Sequence, residues 1–183
     1  MSRLTVLAGP TAVGKGTVVK RLAERFGDVW VSVSVTTRPQ REGEVDGIDY
    51  HFVDDAEFTR MVEAGEFLEW AVVHGAYRYG TPRRPVEEHL ARDVPSLLEI
   101  DLAGARQVRA AMPDARLVFL APPSWEELVR RLRGRGTESD EEQERRLRTA
   151  RVELEAEKEF DEVVVNDDID EAAERVHRLA VGG

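Results

Sequence analysis

Apolar residues come in short bursts along this chain, separated by polar stretches that carry Gly or Pro. Leu4 to Ala8 is an apolar run of strand length; a Gly-rich turn over Gly9 to Gly16 and a helical pattern from Thr17 to Arg25 follow it. Val29 to Val35 mixes β-branched residues with Ser and Trp and predicts a strand, and Thr36 to Gly47 is a polar loop. Tyr50 to Val53 predicts a short strand. Asp54 then precedes a helical pattern through Phe58, Met61 and Val62 that Gly65 ends. Phe67 to Val73 alternates as a strand, Gly80-Thr81-Pro82 reads as a turn, and Pro85 to Arg92 as a helix.

The second half continues the alternation. Ser96 to Ile100 predicts a strand, Leu102 to Met112 a helix before Pro113, and Arg116 to Leu120 a strand closed by Pro122-Pro123. Ser124 with Glu127 has capping-box spacing for a helix ending near Gly134, and Ser139 with Glu142 repeats it for a helix to about Lys158. Glu162 to Val165 is the last strand and Asp170 to Ala180 the last helix. Strands alternating with helices imply βαβ units, hence an α/β fold with a mostly parallel sheet flanked by helices. From Glu126 to Glu159 the chain is dense in both charge signs and poor in apolar residues. Such a segment lies over the body as a solvated helical pair, or serves as a mobile lid.

Composition narrows the class. The 183 residues, 42% hydrophobic and 34% charged, suffice for one core and exclude a disordered chain. Lys plus Arg is 26 against 36 Asp plus Glu, and the net charge of −10 argues against non-specific nucleic-acid binding. Cysteine is absent, which excludes disulfides, thiolate zinc ligation and Cys nucleophiles. His51, His74, His89 and His177 have no metal-ligand spacing. No stretch approaches the ~18 apolar residues of a membrane span, and Leu4 to Ala8 is too short for a signal peptide. A soluble, cytoplasmic protein with no membrane partner is expected.

Gly9-Pro10-Thr11-Ala12-Val13-Gly14-Lys15 fits GxxxxGK between a strand and a helix. The N–H groups of such a loop converge on phosphate, and the helix N-terminus adds partial positive charge. Lys15 then reaches the outer phosphates of a nucleoside triphosphate. The strict motif wants Ser or Thr next; here Gly16 comes first and Thr17 after it. This GKGT ending resembles the version in adenylate kinases, which hold the metal largely through water and nucleotide. Mg²⁺ is expected with the triphosphate, and the sequence assigns it no direct ligand.

Downstream lie Ser34-Val35-Thr36-Thr37-Arg38-Pro39-Gln40-Arg41, then Glu69-Trp70, then Tyr79-Gly80-Thr81. With GPTAVGKGT, FLEWA, LLEIDLAG, FLAPPS, RLRGRGTES and VVNDD, this ordered set resembles the guanylate kinase family across nearly the whole chain. The resemblance implies a P-loop nucleoside-monophosphate-kinase fold. Its core would be residues 1–33, 86–123 and 152–183, with a GMP-binding subdomain at 34–85 and a helical lid at 124–151. It implies that Gly9 to Thr17 and Asn166 bind ATP, and that Arg38, Arg41, Tyr50 and Tyr79 hold the monophosphate. Ser34, Glu69, Thr81 and Asp101 would read the base. Lys15, Arg38, Arg131, Arg135 and Arg146 would be catalytic, stabilising charge in flight. The segment before Tyr79 is one residue longer than the family's GNYYG pattern, so Tyr77 receives no role. Glu99, where the family commonly has Asp, either contacts Mg²⁺ or ligand through water or is structural.

Part of this has a physical basis independent of family. An ionised Glu69 can accept from both guanine N1–H and its exocyclic amine; adenine presents a lone pair at N1 and no 2-amine, and a site built to pair such groups rejects the analogue by roughly 10⁴-fold or more. Two guanidinium groups and two phenols match a dianionic phosphate. The expected activity is transfer of the γ-phosphoryl of ATP to GMP, and to dGMP. One rival is a non-catalytic guanylate-kinase-like binding module, against which Lys15, Arg38 and the lid arginines stand. The other is a kinase of a different monophosphate, suggested by GKGT and opposed by Glu69 with Thr81.

Overall fold

A computed structural model describes residues 4–73, 76–133 and 140–182. The chain runs β1 (Leu4–Ala8), α1 (Lys15–Arg25), β2 (Trp30–Val31), β3 (Val35–Thr36), β4 (His51–Phe52) and α2 (Asp55–Glu63). It continues β5 (Phe67–Val73), β6 (Tyr77–Pro82), α3 (Arg83–Ala91), β7 (Ser96–Glu99), α4 (Leu102–Ala111) and β8 (Arg116–Ala121). The last elements are α5 (Trp125–Arg133), α6 (Asp140–Glu155), a 3₁₀ turn (Ala156–Glu159), β9 (Glu162–Val165) and α7 (Ile169–Val181).

β1 lies at the centre of an all-parallel sheet of order β2-β7-β1-β8-β9. All five of its residues are buried, as a strand covered on both faces requires. Their side chains alternate: Leu4, Val6 and Ala8 pack with Val86, Ala105 and Val108 of α3 and α4, while Leu7 packs with Val18, Leu22 and Val176 of α1 and α7. The chain therefore leaves the C-terminal edge of β1 already positioned between two helical layers, where ligands gather in open parallel sheets.

A second, four-stranded sheet of order β4-β3-β6-β5 carries its own small core of Val35, Phe58 and Phe67. Here two expectations need correction. Val29 to Val35 is not one strand: Ser32 N–H makes its last bond to Leu97 O in the parallel sheet, and Ser34 O already accepts from His51 N. The partner changes inside an uninterrupted β-branched pattern, which periodicity cannot register. Nor is Gly80-Thr81-Pro82 a turn. It lies within β6, where Gly80 pairs with both Val35 and Trp70. The glycine is there for packing, because a Cβ would meet the Phe67 ring at 2.7 Å.

Elsewhere boundaries shift. α1 begins at Lys15 rather than Thr17, and the expected helix to Lys158 ends as α-helix at Glu155 before the 3₁₀ turn. Asp54 caps α2 as predicted, accepting from Glu57 N at 2.8 Å. The Ser124–Glu127 box is half made: Ser124 Oγ accepts from Glu127 N, but the Glu127 carboxylate is taken by Arg130 and Arg131. Ser139 and Gly134 lie outside the described residues. The charge-dense segment has a core after all, with Leu128, Leu132 and Ala150 packed against Trp125, Leu147, Leu154 and Ala12. Ala12 belongs to the phosphate loop, so this helical pair rests directly on it. The expected junctions at 85/86 and 151/152 fall inside α3 and α6, so continuous helix crosses both. No described helix is long and apolar enough to cross a membrane.

The second sheet is joined to the parallel-sheet layer by Leu68 of β5, packed with Val86 and Ala105, and by a side chain of α4. Gln107 of α4 brackets Trp70 on edge strand β5, accepting from its N–H at 3.1 Å and donating to its carbonyl at 2.8 Å. This supplies an edge strand with the pair of bonds a neighbouring strand would give. The Gly80 contact is testable: Gly80→Ala is expected to cost about 1–3 kcal/mol by overpacking Phe67, and Phe67→Leu in the same chain to recover part of it in a urea-unfolding double-mutant cycle. Additive effects in that cycle would remove the proposed contact.

Candidate active site

The turn after β1 leads into a helix start with no side-chain cap, a feature α1 shares with α3. α2, α4 and α7 each have an Asp whose side chain caps the first turn. α1 has no side-chain cap and no acidic residue in its first turn, and Gly14 at its start adopts φ +97°. Uncapped amides at a helix N-terminus form an anion site. Glycine is required at position 14 for two reasons: φ is in the left-handed region, and a Cβ would lie 2.7 Å from Asn166 Nδ2. Ala12 at the loop tip is also left-handed, at φ +65°, a strained setting for a residue with a Cβ.

The loop's carbonyls turn the other way and are satisfied from behind. Val13, fully buried, has its carbonyl bonded by Asn166 Nδ2 at 2.8 Å and Arg131 Nη1 at 3.1 Å. Arg131 also donates to Asn166 O, and its Nε to Glu127, whose carboxylate Arg130 and Arg131 pull down to a pKa of about 2. Lys15 curls back to donate to Gly9 O at 2.7 Å. Burial pushes its ammonium below the ordinary lysine value, while Glu99, Glu153 and Asp101 oppose that shift. Burial likewise raises the Glu99 carboxyl, with Lys15 opposing. Two loop amides are engaged among the described residues: Val13 N–H donates to Pro10 O within the loop, and Thr11 N–H to Glu153 Oε2 at 2.9 Å.

The facing wall comes from the second sheet. Arg38 is 7% exposed and held by a bidentate pair with Glu44 at 2.7 and 3.0 Å. Its Nε donates to Tyr79 Oη, and its guanidinium stacks 5.3 Å from the Tyr50 ring centroid. Glu44, and to a lesser degree Tyr79, hold Arg38 firmly in its charged form, and Arg38 holds the Glu44 carboxyl below the usual range. Burial raises the Tyr50 phenol, with Glu99 adding to it. Tyr50 and Tyr79 meet edge-on at 5.9 Å. Arg41 lies exposed on the loop after β3, its N–H on Glu44, and Ser34 stands immediately before β3, its carbonyl accepting from His51 N.

Between the walls sits a buried carboxylate. Glu69 is 5% exposed, and Thr81 Oγ donates to it at 2.6 Å across the β5–β6 pair. Burial pushes its pKa up to about 7, Asp101 adds to the rise, and Thr81 opposes it. Asp101 caps α4 through Gly104 N at 2.7 Å. Gly104 lets the helix approach so closely that a Cβ would meet Glu69 Oε2 at 2.5 Å. A cavity of about 1010 Å³ opens over the phosphate loop, lined by residues 11 to 17, Glu99, Asp101, Arg145, Arg146 and Glu153, and reaches the facing wall at Tyr50.

A guanylate kinase family model matches residues 1–181. The chain belongs to the guanylate kinase family. A guanylate kinase of Frankia casuarinae is 64% identical over 98% of this chain and 97% of its own length, and one of Thermobifida fusca 66% identical over 97% and 90%. The crystal structure of guanylate kinase from Anaplasma phagocytophilum superposes with a TM-score of 0.79, at 36% identity, over 99% of this chain and 85% of that one.

For a guanylate kinase, the residues expected from sequence fall into three groups. Residues 11 to 17, Tyr50, Asp101 and Arg146 line the cavity, and Gly9 and Pro10 accept from Lys15 beside it. Arg38, Glu69, Tyr79 and Thr81 form the facing wall. Asn166 and Arg131 meet the loop from behind instead, on Val13 O. Arg135 lies outside the described residues, as does His74. Glu44, Glu153, Gln107 and Gly104 were not singled out from sequence. For Glu44 and Glu153 the available signal was acidic residues placed among the arginines of a polar loop, or at four-residue spacing along α6; Gln107 and Gly104 carried none.

Two outcomes follow from the Glu69 pocket. Gly104→Ala is expected to raise the GMP KM roughly tenfold or more, by an overpacking effect of 1–3 kcal/mol, with the ATP KM within about twofold. A carboxyl raised from 4.5 to about 7 binds a proton on folding between those values. The stability it gives is present below pH ~4.5 and lost as pH rises through ~7. Glu69→Gln should therefore melt a few degrees above the parent at pH 8, the gap narrowing towards pH 5 in calorimetry. A pH-independent gap would contradict the raised value.

Proposed function

We propose that the two walls divide one reaction, transfer of the γ-phosphoryl of ATP to GMP and dGMP, giving ADP and the diphosphate. The observation that carries this reading is that Tyr50, stacked on Arg38 in the facing wall, lines the same cavity as the phosphate loop. Two anion cradles thus open into one space. Residues 1–33, 86–123 and 152–183 act as the core, 34–85 as the acceptor-binding part and 124–151 as the lid.

The loop amides of residues 9 to 17 and Lys15 bind the donor triphosphate. The Lys15 ammonium donates to loop carbonyls 2.7 and 3.4 Å away; a phosphate offers it a stronger, charged partner. Arg38, Arg41, Tyr50 and Tyr79 hold the GMP phosphate, and Glu44 keeps Arg38 aimed. Glu69, ionised, accepts from guanine N1–H and the 2-amine, with Ser34, Thr81 and Asp101 shaping the pocket. A carboxyl with pKa near 7 becomes a better acceptor once two donors face it, because hydrogen bonds to the charged form favour that form.

The attacking group is a phosphate oxygen of GMP, already deprotonated, so no general base is needed. Catalysis is positioning plus electrostatic stabilisation of charge spread over the migrating group. Arg38 from one wall and Arg146 from α6 supply that charge, together with Arg135. Arg131 keeps the loop in shape through Val13 O; to touch the phosphoryl group it must leave that carbonyl. Asn166 serves the donor in the same way, through the loop it braces. Closure of the helical lid brings these arginines in and excludes water.

The carboxylates of Glu99 and Asp101, with Thr17, face the cavity as hard oxygen donors of the kind Mg²⁺ prefers. No group of three His, Cys, Asp or Glu able to hold a metal ion occurs among the described residues. That donor set fits a cation held mainly by nucleotide oxygens and water, with Glu99 and Asp101 as its outer partners. Bound there, Mg²⁺ supplies positive charge to the donor phosphates.

The test is ADP release with ATP, Mg²⁺ and GMP, dGMP, AMP, CMP or UMP. Turnover is expected with GMP and dGMP. A preference for AMP would overturn the base assignment, and absence of turnover with GMP would overturn the enzyme reading in favour of a binding module. Lys15→Ala should lower kcat by roughly 10²–10⁴, the range of a lost electrostatic stabiliser.

A further inference from the structure

The donor cradle already contains an anion. Thr11 N–H, one of the loop amides, donates to Glu153 Oε2 at 2.9 Å, across 142 residues of sequence. Glu153 comes from the far end of α6, not from the loop or the sheet. Its carboxylate lines the cavity with the loop residues and is one of three that face Lys15, with Glu99 and Asp101. Of the three, it is the one carried by the helical pair. α1 meanwhile has no side-chain cap or first-turn acid of its own. A carboxylate oxygen on a loop amide beside the loop lysine has the same charge sign and the same donor that a phosphate oxygen would have.

We propose that Glu153 is a positioning residue of the donor site: it holds the phosphate loop in the empty enzyme through Thr11, and the donor's phosphates displace it. The proposal rests on the reading of the loop as the triphosphate site. Two anions cannot share one N–H and one ammonium without repulsion, so nucleotide affinity is set by difference, loop-to-phosphate against loop-to-Glu153. The stripe Arg145, Thr149 and Glu153 recurs every four residues on α6, and all three line the cavity. Releasing Glu153 therefore frees the helix that also carries Arg145 and Arg146. The carboxylate couples occupancy of the loop to the position of the arginine-bearing helix.

The experiment is calorimetric titration of the full chain with inorganic tripolyphosphate, which engages the loop without the base or ribose. Glu153→Gln keeps the shape and an acceptor oxygen but removes the charge. It should bind tripolyphosphate roughly three- to tenfold more tightly than the parent, with the larger gain at low salt, as expected for removal of one competing charge. Glu153→Asp keeps the charge but is one methylene too short to hold Thr11, so its affinity should fall between the two. In steady state Glu153→Gln should lower the KM for ATP and leave the KM for GMP within about twofold, a split that general loosening of α6 would not produce. Affinity unchanged or weaker in both variants would overturn the proposal. Lys15→Ala tests the underlying reading separately: if it fails to weaken tripolyphosphate binding in the parent chain, the loop is not the triphosphate site.

Discussion

A backbone that turns its N–H groups towards an anion turns carbonyls away from it, and a buried carbonyl needs a donor. Much of this site follows from that constraint. Val13 O, at the back of the phosphate loop, takes two donors, Asn166 from the end of β9 and Arg131 from α5. Gly9 O takes the Lys15 ammonium. The loop's shape is thus specified by side chains from opposite ends of the sequence. Arg131 and Asn166 thus brace the loop from behind, and the two helices over it are bound to it through hydrogen bonds as well as through Ala12 in their shared apolar cluster.

The same logic of unsatisfied charge appears on both walls. Arg38 is nearly buried, and a buried guanidinium without partners is costly; Glu44 supplies a bidentate partner and Tyr79 a third contact. Lys15 is surrounded by Glu99, Asp101 and Glu153. A site meant for phosphate must carry several cations close together, and without ligand those cations need carboxylates nearby. This gives a physical reason for so acidic a chain to bind polyanions. Part of its negative charge lies beside these cations, on Glu44 at Arg38 and on Glu99, Asp101 and Glu153 around Lys15.

Much of the architecture was legible in the sequence because it rests on local rules. The strand Phe67 to Val73 and the Asp54 cap appear where the pattern put them, and β1, the loop and α1 follow in order. What was not legible depends on partners far away in sequence. The break between Val31 and Val35 is a change of sheet inside one β-branched pattern, and Gly80 looks like a turn residue until the Phe67 ring is seen against it. The candidate site divides the same way. Residues in motifs, such as Lys15, Arg38 and Glu69, are conspicuous as types. Glu153 and Glu44 are not, because a carboxylate in a run of charges carries no mark of which cation it meets. Only the folded chain shows that Glu153 meets a loop amide and Glu44 an arginine fork.

In the guanine-reading role proposed for Glu69, selectivity and stability compete at a single atom pair. Reading guanine needs an ionised carboxylate shielded from water, since water would satisfy it equally with any base bound. Shielding raises its pKa to about 7 and so costs stability at the pH where it must be charged. The structure limits that cost with one hydroxyl, Thr81, and leaves the rest of the carboxylate's hydrogen-bonding capacity for the ligand. More donors from the protein would ease the strain but would also fill the positions guanine must occupy. Gly104 follows from the same requirement: the helix is brought close enough to exclude water, yet offers no side chain of its own. In the proposed role, the pocket's discrimination depends on a carboxylate left under-satisfied until a base with two adjacent donors completes it.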